Sequence, residues 1–411
     1  MKTQRSRLLI AGGGVAALEA LLGLTELAGD RVDLELLAPR DKYVDRPVAV
    51  AEPFGIAKAQ SFDLRAIAQD RGARLRLDGL QEVDPASKRI ITRNGAELDY
   101  DALLVAVGAI PGVALDGAIT IKGPSYTGRF RTLLDQLDRH QILRIAFAVP
   151  PGASWPLPLY ELALMTAAHV RERGLRKVEL SLVTPEAAPL ELFGAEASGA
   201  VAALLGERGV RVMTGHYPAG VVEEGLTLVP NDAGPVPAER VVSLPRLHGP
   251  RIPGLPHDAD GFIPVDLHCA VQGEDGVYAA GDATTFAIKQ GGIASQMADA
   301  ATEAIAARAG APVRPRPFDP VLRGLLLTGD IPRYMRAEVG GGHGEHWPVS
   351  EHALWWPPTK VAGRYLSPYL ALHARDAPPG GLPINVPLGG PSSGGIRRRA
   401  VIAPGRSRAL P

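Results

Sequence analysis

A glycine cluster near the start of the chain has the composition and spacing of a phosphate-binding loop. The pattern G-x-G-x-x-G/A is matched by the consecutive residues Gly12, Gly13, Gly14, Val15, Ala16 and Ala17. The first glycine permits a tight turn, Gly14 lets the backbone approach a pyrophosphate, and the small Ala17 lets the next helix pack close to its strand. A helix N-terminus then directs free N–H groups at the phosphates. These residues predict a dinucleotide-binding site, although a glycine cluster can also form an ordinary turn.

The elements around this loop form a βαβ unit. An apolar strand is predicted over 7–11, a helix rich in Ala and Leu over 15–27, and a second strand over 32–37. Further segments repeat the alternation, with strands at 103–107, 144–149, 178–183 and 276–280 and helices at 158–174 and 293–308. The sequence predicts an α/β fold with two Rossmann-like domains and a small C-terminal cap.

The end of the second strand lacks an expected acidic residue. Dinucleotide-binding domains place a carboxylate there to bind the adenosine ribose, but the turn reads Ala38, Pro39 and Arg40. Glu35 lies inside the strand, where its side chain is free to point away. The ribose contact is therefore either missing or made by Arg40, Asp41 or a backbone group.

The second βαβ unit has no glycine loop. After its first strand the chain reads Pro150-Pro151-Gly152-Ala153-Ser154-Trp155-Pro156. The two prolines remove backbone N–H donors, and the indole of Trp155 fills space where a pyrophosphate would lie. We therefore expect no nicotinamide cofactor at this position. The alternative is a divergent loop that still binds a nicotinamide nucleotide loosely.

Composition excludes several classes of protein. The 411 residues include 44 Lys and Arg against 44 Asp and Glu, and this balance argues against a nucleic acid partner. A single cysteine, Cys269, excludes an intrachain disulfide, a Cys-x-x-Cys pair and multi-cysteine metal sites; it is interpreted as a small buried apolar residue. No run of 18 apolar residues is present, and the first apolar run is too short for a signal peptide, so we expect a cytoplasmic protein.

Three motifs follow one another in an informative order. They are residues 12–17, residues 106–111 with Gly108, and residues 277–282, which end in Gly281-Asp282. This order resembles the FAD-dependent pyridine nucleotide–disulfide oxidoreductase superfamily, and most closely its branch of sulfide:quinone oxidoreductases and type II NADH dehydrogenases. Four shorter segments support the resemblance, which covers about residues 5–370: 41–43, 158–161, 184–186 and 289–292.

The resemblance implies that FAD is the cofactor. Gly281 and Asp282 would close the FAD site, with Asp282 accepting a hydrogen bond from the ribityl chain. The helix that follows, predicted over 293–308 and preceded by Gly291, would direct its positive end at the flavin. The alternative is that Gly281-Asp282 is a helix N-cap.

The resemblance also suggests three catalytic candidates. Lys289 would stabilise the anionic reduced flavin or contact a quinone carbonyl; the alternative is a solvated lysine. Gln296 matches one glutamine of a quinone motif whose other glutamine is replaced here by Gly292. Glu161 would face the active site, or it simply lies in the first turn of a helix, where a carboxylate suits the dipole.

The domain limits follow from the motifs. We predict an FAD domain over 1–112 and 246–312, a second Rossmann-like domain over 113–245, a cap over 313–375 and a disordered tail over 376–411. In the cap, Trp355 and Trp356 precede Lys360 and Arg364. This arrangement suits peripheral contact at the inner face of a membrane. Packing of the cap on the flavin domain, or on a second subunit in a homodimer, are the alternatives.

A metal site is not expected. His343 and His346 have a spacing that suits two ligands, and His352 follows, but the loop is glycine-rich and offers no strong third ligand.

We therefore expect an FAD-dependent oxidoreductase with an unknown small-molecule donor and a quinone as the acceptor implied by the resemblance. Sulfide oxidation as that branch performs it requires paired redox cysteines, which one cysteine cannot supply. One alternative is an NAD(P)H:acceptor flavoenzyme, and another is a flavin-binding partner or sensor without turnover.

Overall fold

The computed structural model describes residues 5–122, 125–231, 234–339 and 349–374. Within them the strands are β1 Ser6–Ala11, β2 Val32–Ala38, β3 Lys42–Val44, β4 Ser61–Asp63, β5 Arg74–Leu77, β6 Leu80–Asp84, β7 Arg89–Thr92, β8 Glu97–Asp99, β9 Ala102–Val105, β10 Ile110–Gly112, β11 Ile119–Thr120, β12 Arg144–Ala148, β13 Glu179–Val183, β14 Val210–Met213, β15 Tyr217–Val222, β16 Gly225–Val229, β17 Val236–Pro237, β18 Arg240–Ser243, β19 Arg246–His248, β20 Val277–Ala279, β21 Val321–Leu326, β22 Arg333–Glu338 and β23 Val349–Ser350. The α-helices are α1 Val15–Ala28, α2 Leu64–Asp70, α3 Ser125–Asp138, α4 Leu157–Glu172, α5 Ala195–Glu207, α6 Gly291–Arg308 and α7 Leu366–His373.

The first large sheet is parallel and has the strand order β20-β9-β1-β2-β5. The chain runs outward from β1 through β2 to β5 and then continues on the other side of β1 with β9 and β20. The strand order therefore reverses between β1 and β9, and open parallel sheets bind their ligands at the carboxyl ends of the strands at such a point. Gly12 and Ala106 are the first residues after these two strands.

The second large sheet has the order β11-β18-β12-β13-β14, again all parallel, and repeats the topology of the first in all strands except the edge strand β11, which precedes the others along the chain. Its reversal lies between β12 and β18, next to the loop that contains Pro150 and Trp155. The predicted α/β class with two Rossmann-like sheets is confirmed. The domain limits stay a prediction, because strands define the sheets and not the ends of the domains that contain them.

Most elements begin or end within a few residues of their predicted limits. The clearest difference is α6, which begins at Gly291 and not at Ile293. The side chain of Gln290 accepts a hydrogen bond from the N–H of Ile293 at 2.8 Å, so Gln290 is the N-cap and the helix starts one residue later.

The cap consists of the antiparallel sheet β21-β22-β23 and helix α7. Glu19, a fully buried residue of α1, accepts hydrogen bonds from the N–H groups of Tyr365 and Leu366 at 2.7 and 2.9 Å. A carboxylate is well placed at a helix N-terminus, so Glu19 ties α7 to the helix that follows the glycine loop. Burial and the charge of Glu19 raise the pKa of the neighbouring Asp299 to about 8.

No helix in the described ranges is long and apolar enough to cross a membrane. The predicted disordered tail, 376–411, lies outside the described residues, as do His343 and His346. His352 is exposed and its backbone N–H donates to the hydroxyl of Ser350 at 2.9 Å.

Candidate functional site

A cavity of about 770 Å³ lies at the strand reversal of the first sheet. Most of the predicted cofactor residues line it: Gly12, Gly13, Gly14, Val15, Ala16, Ala38, Pro39, Arg40, Gly108, Gly281, Asp282 and Gly291. Ala17 is fully buried below this surface, where its small side chain lets α1 approach the sheet. The topology and the loop therefore bring residues from five separate segments of the chain to one elongated site.

The glycine loop has the geometry that phosphate binding requires. Gly12 has a φ of +141°, and a Cβ there would lie 2.2 Å from the carbonyl oxygen of Ala106, so the backbones at the ends of β1 and β9 meet at this glycine. A Cβ at Gly14 would meet no protein atom within 4 Å and would take up open space in the cavity. Helix α1 begins at Val15 without a side-chain cap, which leaves its first N–H groups for a ligand.

The end of β2 has no carboxylate directed at the cavity, in agreement with the missing acidic residue of the sequence. Ala38 occupies the expected position, and the carboxylate of Glu35 is bound to Arg76 of β5 at 2.6 Å. Tyr43 also lines the cavity, and its buried hydroxyl has no hydrogen-bond partner in the described part of the chain. A buried hydroxyl without a partner is unfavourable, and a polar ligand in the cavity would satisfy it. The open cradle at Gly14 and this hydroxyl both fit a dinucleotide.

Gly281 and Asp282 bring the two helices at this site together. A Cβ at Gly281, whose φ is +76°, would lie 3.2 Å from Ala294 of α6 and 3.3 Å from Ala16 of α1. The alternative that Asp282 caps α6 is wrong, because residues 281–283 form a separate 3₁₀ turn and Gln290 caps the helix. The carboxyl group of Asp282 lines the cavity, and burial raises its pKa against the opposing charge of Lys289.

A second cavity of about 340 Å³ adjoins the first, with Arg46, Pro47, Asp282 and Gly291 lining both. It lies where the two Rossmann-like sheets and the cap meet. Its remaining lining residues are Ile121, Ala153, Ser154, Trp155, Leu157, Pro158, Leu244, Pro245, Leu247, Lys289, Gln290, Arg323, Leu325, Lys360 and Val361.

Lys289 is one of the residues lining this second cavity, and it is only 9 % exposed. Its ammonium group donates to the carbonyl oxygen of Thr284 and lies 4.0 Å from the centroid of the Phe262 ring. Burial lowers the pKa of Lys289 to about 8, while the charges of Asp282 and Asp258 oppose that shift. The alternative of a solvated surface lysine is therefore wrong.

Glu161 is fully buried and forms an ion pair that sequence analysis missed. Its Oε2 accepts from Lys360 Nζ at 2.5 Å, and its Oε1 accepts from the N–H of Leu327 at 2.9 Å. Lys360 also donates to the carbonyl oxygen of Pro47 at 3.2 Å. Helix α4 begins at Leu157, so Glu161 is not in its first turn and the helix-dipole alternative is wrong. No local signal marks Lys360, which is 199 residues further along the chain.

Gln296 binds the cap and lines neither cavity. Its Nε2 donates to the carbonyl oxygens of Gly292 and Val321, at 2.8 and 2.9 Å, and its Oε1 accepts from the N–H of Val321 at 2.8 Å. Both ends of the amide are thus engaged with backbone, and the side chain holds the start of β21 against α6.

The loop after β12 is covered by aromatic side chains and by the cap. The Trp155 indole packs edge-on against Phe193, with the ring centroids 5.9 Å apart. A Cβ at Gly324 of β21 would lie 2.5 Å from the Phe193 ring, so the cap strand passes directly over this part of the second sheet. The cap therefore packs against the Phe193 side of this crevice, and the space that remains at the ends of β12 and β18 belongs to the 340 Å³ cavity.

Glu186 follows β13, where a nucleotide-binding domain would hold a ribose. Its Oε2 already accepts hydrogen bonds from the hydroxyls of Tyr160 and Thr184, at 2.6 and 2.7 Å. Its Oε1 is buried and has no partner in the described residues.

Cys269 is a free, buried cysteine, and burial raises the pKa of its thiol to about 12. It is therefore protonated at neutral pH and a poor nucleophile.

The comparisons with known proteins agree with this architecture. A model of the pyridine nucleotide-disulphide oxidoreductase family matches residues 160–304. The sulfide-quinone reductase of Aquifex aeolicus is 24 % identical over 264 residues, which is 59 % of this chain and 59 % of that protein. The chain thus spans less than two thirds of the length of this relative.

Two solved structures share the fold. The sulfide:quinone oxidoreductase of Aquifex aeolicus superposes with a TM-score of 0.73 and 18 % identity, covering 81 % of this chain and 84 % of that one. The NDH2 of Plasmodium falciparum in complex with NADH gives a TM-score of 0.57 and 17 % identity, covering 68 % and 65 %.

The fold, the glycine loop and the family match are features of the class of flavin-dependent oxidoreductases that bind FAD. Within that class the chain is similar to the pyridine nucleotide-disulphide oxidoreductases over residues 160–304, and it shares its fold with a sulfide:quinone oxidoreductase and with an NDH2. The resemblance seen in the sequence is confirmed.

Proposed function

We propose that this protein is an FAD-dependent oxidoreductase that takes electrons from a small-molecule donor other than a nicotinamide nucleotide, uses no redox cysteine pair, and passes them to an acceptor of the quinone class. The observation that carries the proposal is the pair of adjoining cavities, which share Asp282 and Gly291. One cavity has a glycine loop suited to a dinucleotide, and the other offers a separate site for a reactant.

Bound FAD would supply the redox chemistry. The backbone of Gly12, Gly13 and Gly14 and the N-terminus of α1 would hold its phosphates. Asp282 would bind its polyol chain, and Lys289 would place a positive charge beside the adjoining cavity. We propose Glu161 and Gln296 as positioning residues: Glu161 fixes Lys360, and Gln296 fixes β21, which carries part of the wall of the reactant cavity.

The donor proposal rests on the second sheet. Pro150 and Pro151 offer no N–H groups to a phosphate, Trp155 packs on Phe193 at the point of expected entry, and one oxygen of Glu186 is engaged by protein hydroxyls. These features favour a donor that is smaller than a dinucleotide and enters the 340 Å³ cavity.

The decisive experiment is the anaerobic absorbance spectrum of the purified FAD-loaded protein. We expect no bleaching of the flavin after NADH and then NADPH, full bleaching by dithionite, and reoxidation by a soluble quinone. Rapid bleaching by either nicotinamide nucleotide would reject the proposed donor class. Protein that is colourless and cannot be reconstituted with FAD would reject the function altogether.

A second candidate function is an NAD(P)H:acceptor oxidoreductase. The specific observation in its favour is the unpartnered Oε1 of Glu186, which lies at the end of β13 where a ribose hydroxyl would be bound. Under this alternative Glu186→Gln would weaken bleaching by NADH, whereas under the main proposal there is no bleaching to weaken.

Peripheral membrane contact is part of the proposal for a quinone acceptor. Trp356 in the cap is 73 % exposed, which suits a membrane interface. Trp355 turns inward instead, packing on Tyr334 at 5.2 Å, and Lys360 is buried against Glu161, so these two residues do not serve such a surface. Binding to anionic lipid vesicles, measured by sedimentation before and after Trp356→Ser, tests this contact; equal binding would reject it. The homodimer stays a prediction.

A further inference from the structure

We propose that the 340 Å³ cavity binds an amphiphilic organic anion, with a flat apolar body and one anionic group held by Arg323. The inference deepens the proposed function and rests on it, since this cavity is the one proposed to admit the small-molecule reactant.

Positive side chains outnumber negative ones in the wall of the cavity. Four basic side chains, Arg46, Lys289, Arg323 and Lys360, face it together with one carboxylate, Asp282. Asp282 acts on Lys289, and Glu161 behind the wall is paired with Lys360. Two of the four positive charges have no such carboxylate, and they would attract an anion into this partly dehydrated site.

The two cations without such a partner are Arg46 and Arg323, and the side chain of Arg323 is the less exposed. It is half-buried on β21, and no carboxylate of the described chain lies within ion-pair distance of its guanidinium. Its cross-strand neighbour on β22 is another cation, Arg336, which is bound to Glu338 at 3.5 Å. Burial and the charge of Arg336 lower the pKa of Arg323. A carboxylate that reached this guanidinium would offset both unfavourable effects and would form a strong charge-assisted hydrogen bond.

The backbone adds positive potential close to Arg323, whose carbonyl oxygen accepts a hydrogen bond from Gln290 Nε2 at 3.2 Å. Helix α6 begins at Gly291, and both Gly291 and its N-cap residue Gln290 line the cavity. The positive end of the helix dipole thus lies at the same cavity as the guanidinium, and both disfavour a cationic occupant.

The rest of the wall is apolar and suits a flat carbon skeleton. Trp155 presents its indole, and Ile121, Leu157, Leu244 and Leu325 surround it. A cavity of 340 Å³ lies within the range of small-ligand sites and is far larger than a single inorganic anion needs. The combination of apolar walls with one cationic anchor therefore points to an aromatic or aliphatic acid.

The test is isothermal titration calorimetry of the FAD-loaded protein with four probes: 2-naphthoate, the uncharged 2-naphthalenemethanol, the neutral quinone menadione, and inorganic phosphate. We expect 2-naphthoate to bind at least about tenfold more tightly than the other three, the discrimination that one good charged hydrogen bond provides. Arg323→Gln should remove that preference. Arg323→Lys should retain part of it, because the charge remains.

Arg333→Gln is the matched control, since Arg333 lies on the same hairpin, outside the cavity wall, and is bound to Glu351. Its affinity for 2-naphthoate should stay within about twofold of the parent. The inference is overturned if the alcohol or menadione binds as tightly as 2-naphthoate, if phosphate does so, or if Arg323→Gln leaves the affinity for 2-naphthoate unchanged. Should Arg323→Gln fail to fold, Arg323→Lys and the probe series decide.

Failure of the underlying function is recognised separately. The flavin absorbance and its reduction by dithionite are recorded before each titration. A protein with reducible flavin but no preference for the anion rejects only this inference. A protein that retains no flavin rejects the proposed function, whatever the titrations show.

Discussion

The two Rossmann-like sheets share the order of four of their five strands but differ at their ligand sites. In the first sheet, the reversal between β1 and β9 opens onto a 770 Å³ cavity, with Gly12 and Gly14 at its mouth. In the second sheet, the reversal between β12 and β18 carries Pro150, Pro151 and Trp155 and lies beneath the cap. The comparison teaches that topology determines where a crevice forms, whereas a few loop residues determine whether a dinucleotide can enter it.

The most severe test of this comparison is Gly14→Trp. The indole would fill the space that a Cβ at Gly14 begins to enter, so we expect complete loss of retained FAD. The ratio of flavin to protein absorbance after gel filtration measures the effect. Gly199→Trp is the control, because Gly199 lies on α5 of the second unit and also has no neighbour within 4 Å. Stoichiometric FAD in Gly14→Trp would show that the phosphate site has been misplaced.

The contact between helix α4 of the second Rossmann-like unit and the cap depends on the ion pair between Glu161 and Lys360. Glu161→Gln would leave Lys360 charged and buried without its carboxylate, and we expect the free energy of unfolding to fall by about 3 kcal/mol or more. Urea denaturation measures it. The double variant with Lys360→Met should recover part of the loss, since no unpaired charge remains. An unchanged denaturation midpoint in the single variant would contradict the role of this pair.

Lys289 lines the second cavity next to Asp282, which borders both cavities, and we expect an intermediate effect from its substitution. Lys289→Met removes a buried cation, so we expect the two-electron midpoint potential of the flavin to fall by about 30 mV, equivalent to a tenfold change in the equilibrium. Dye-coupled reductive titration measures the potential, with the exposed Lys177→Met as the control. A potential equal to that of the parent protein would remove Lys289 from the proposed site.

The pH dependence of the flavin midpoint potential gives a second test of Lys289. The lowered pKa of Lys289, about 8, means that its charge is present below pH 8 and is lost as the pH rises through that value. The potential of the parent protein should therefore fall more steeply with pH around 8 than that of Lys289→Met. In the unfolded chain Lys289 keeps its proton up to about pH 10.5. Between pH 8 and that value the unfolded state therefore binds more protons than the folded state, and the contribution of Lys289 to the free energy of unfolding increases with pH. Parallel curves for the two proteins would contradict the assignment.

The smallest effect is expected at the cysteine. Cys269→Ser should leave the rate of flavin reduction nearly unchanged, because the thiol is buried and protonated. Stopped-flow reduction by dithionite and reoxidation by quinone measure this. A large loss of either rate would return thiol chemistry to consideration.

The parts of the molecule that could be predicted from the sequence are those encoded by neighbouring residues. The loop from Gly12 to Ala17 specifies a turn, a helix start and a phosphate cradle within six residues, and Ala38 marks the missing acidic group at a fixed distance along the chain.

The parts that could not be predicted depend on remote partners. The pairing of Glu161 with Lys360 joins α4 to a loop of the cap, and Gln296 is engaged by a strand 25 residues away. Nothing in the residues around Arg323 indicates that its strand packs against Phe193 and lines the 340 Å³ cavity. Such contacts arise only when separate elements pack, and single-sequence patterns carry no record of them.

The contact between Glu19 and α7 has a consequence for how the chain is made. Synthesis proceeds from the N-terminus, and the two amides that bind the Glu19 carboxylate belong to residues 346 and 347 positions further along. Until Tyr365 and Leu366 leave the ribosome, a carboxylate in the middle of α1 lacks the groups that satisfy it in the finished protein. Helix α1 therefore completes its packing only after α7 has been synthesised, although it leaves the ribosome long before.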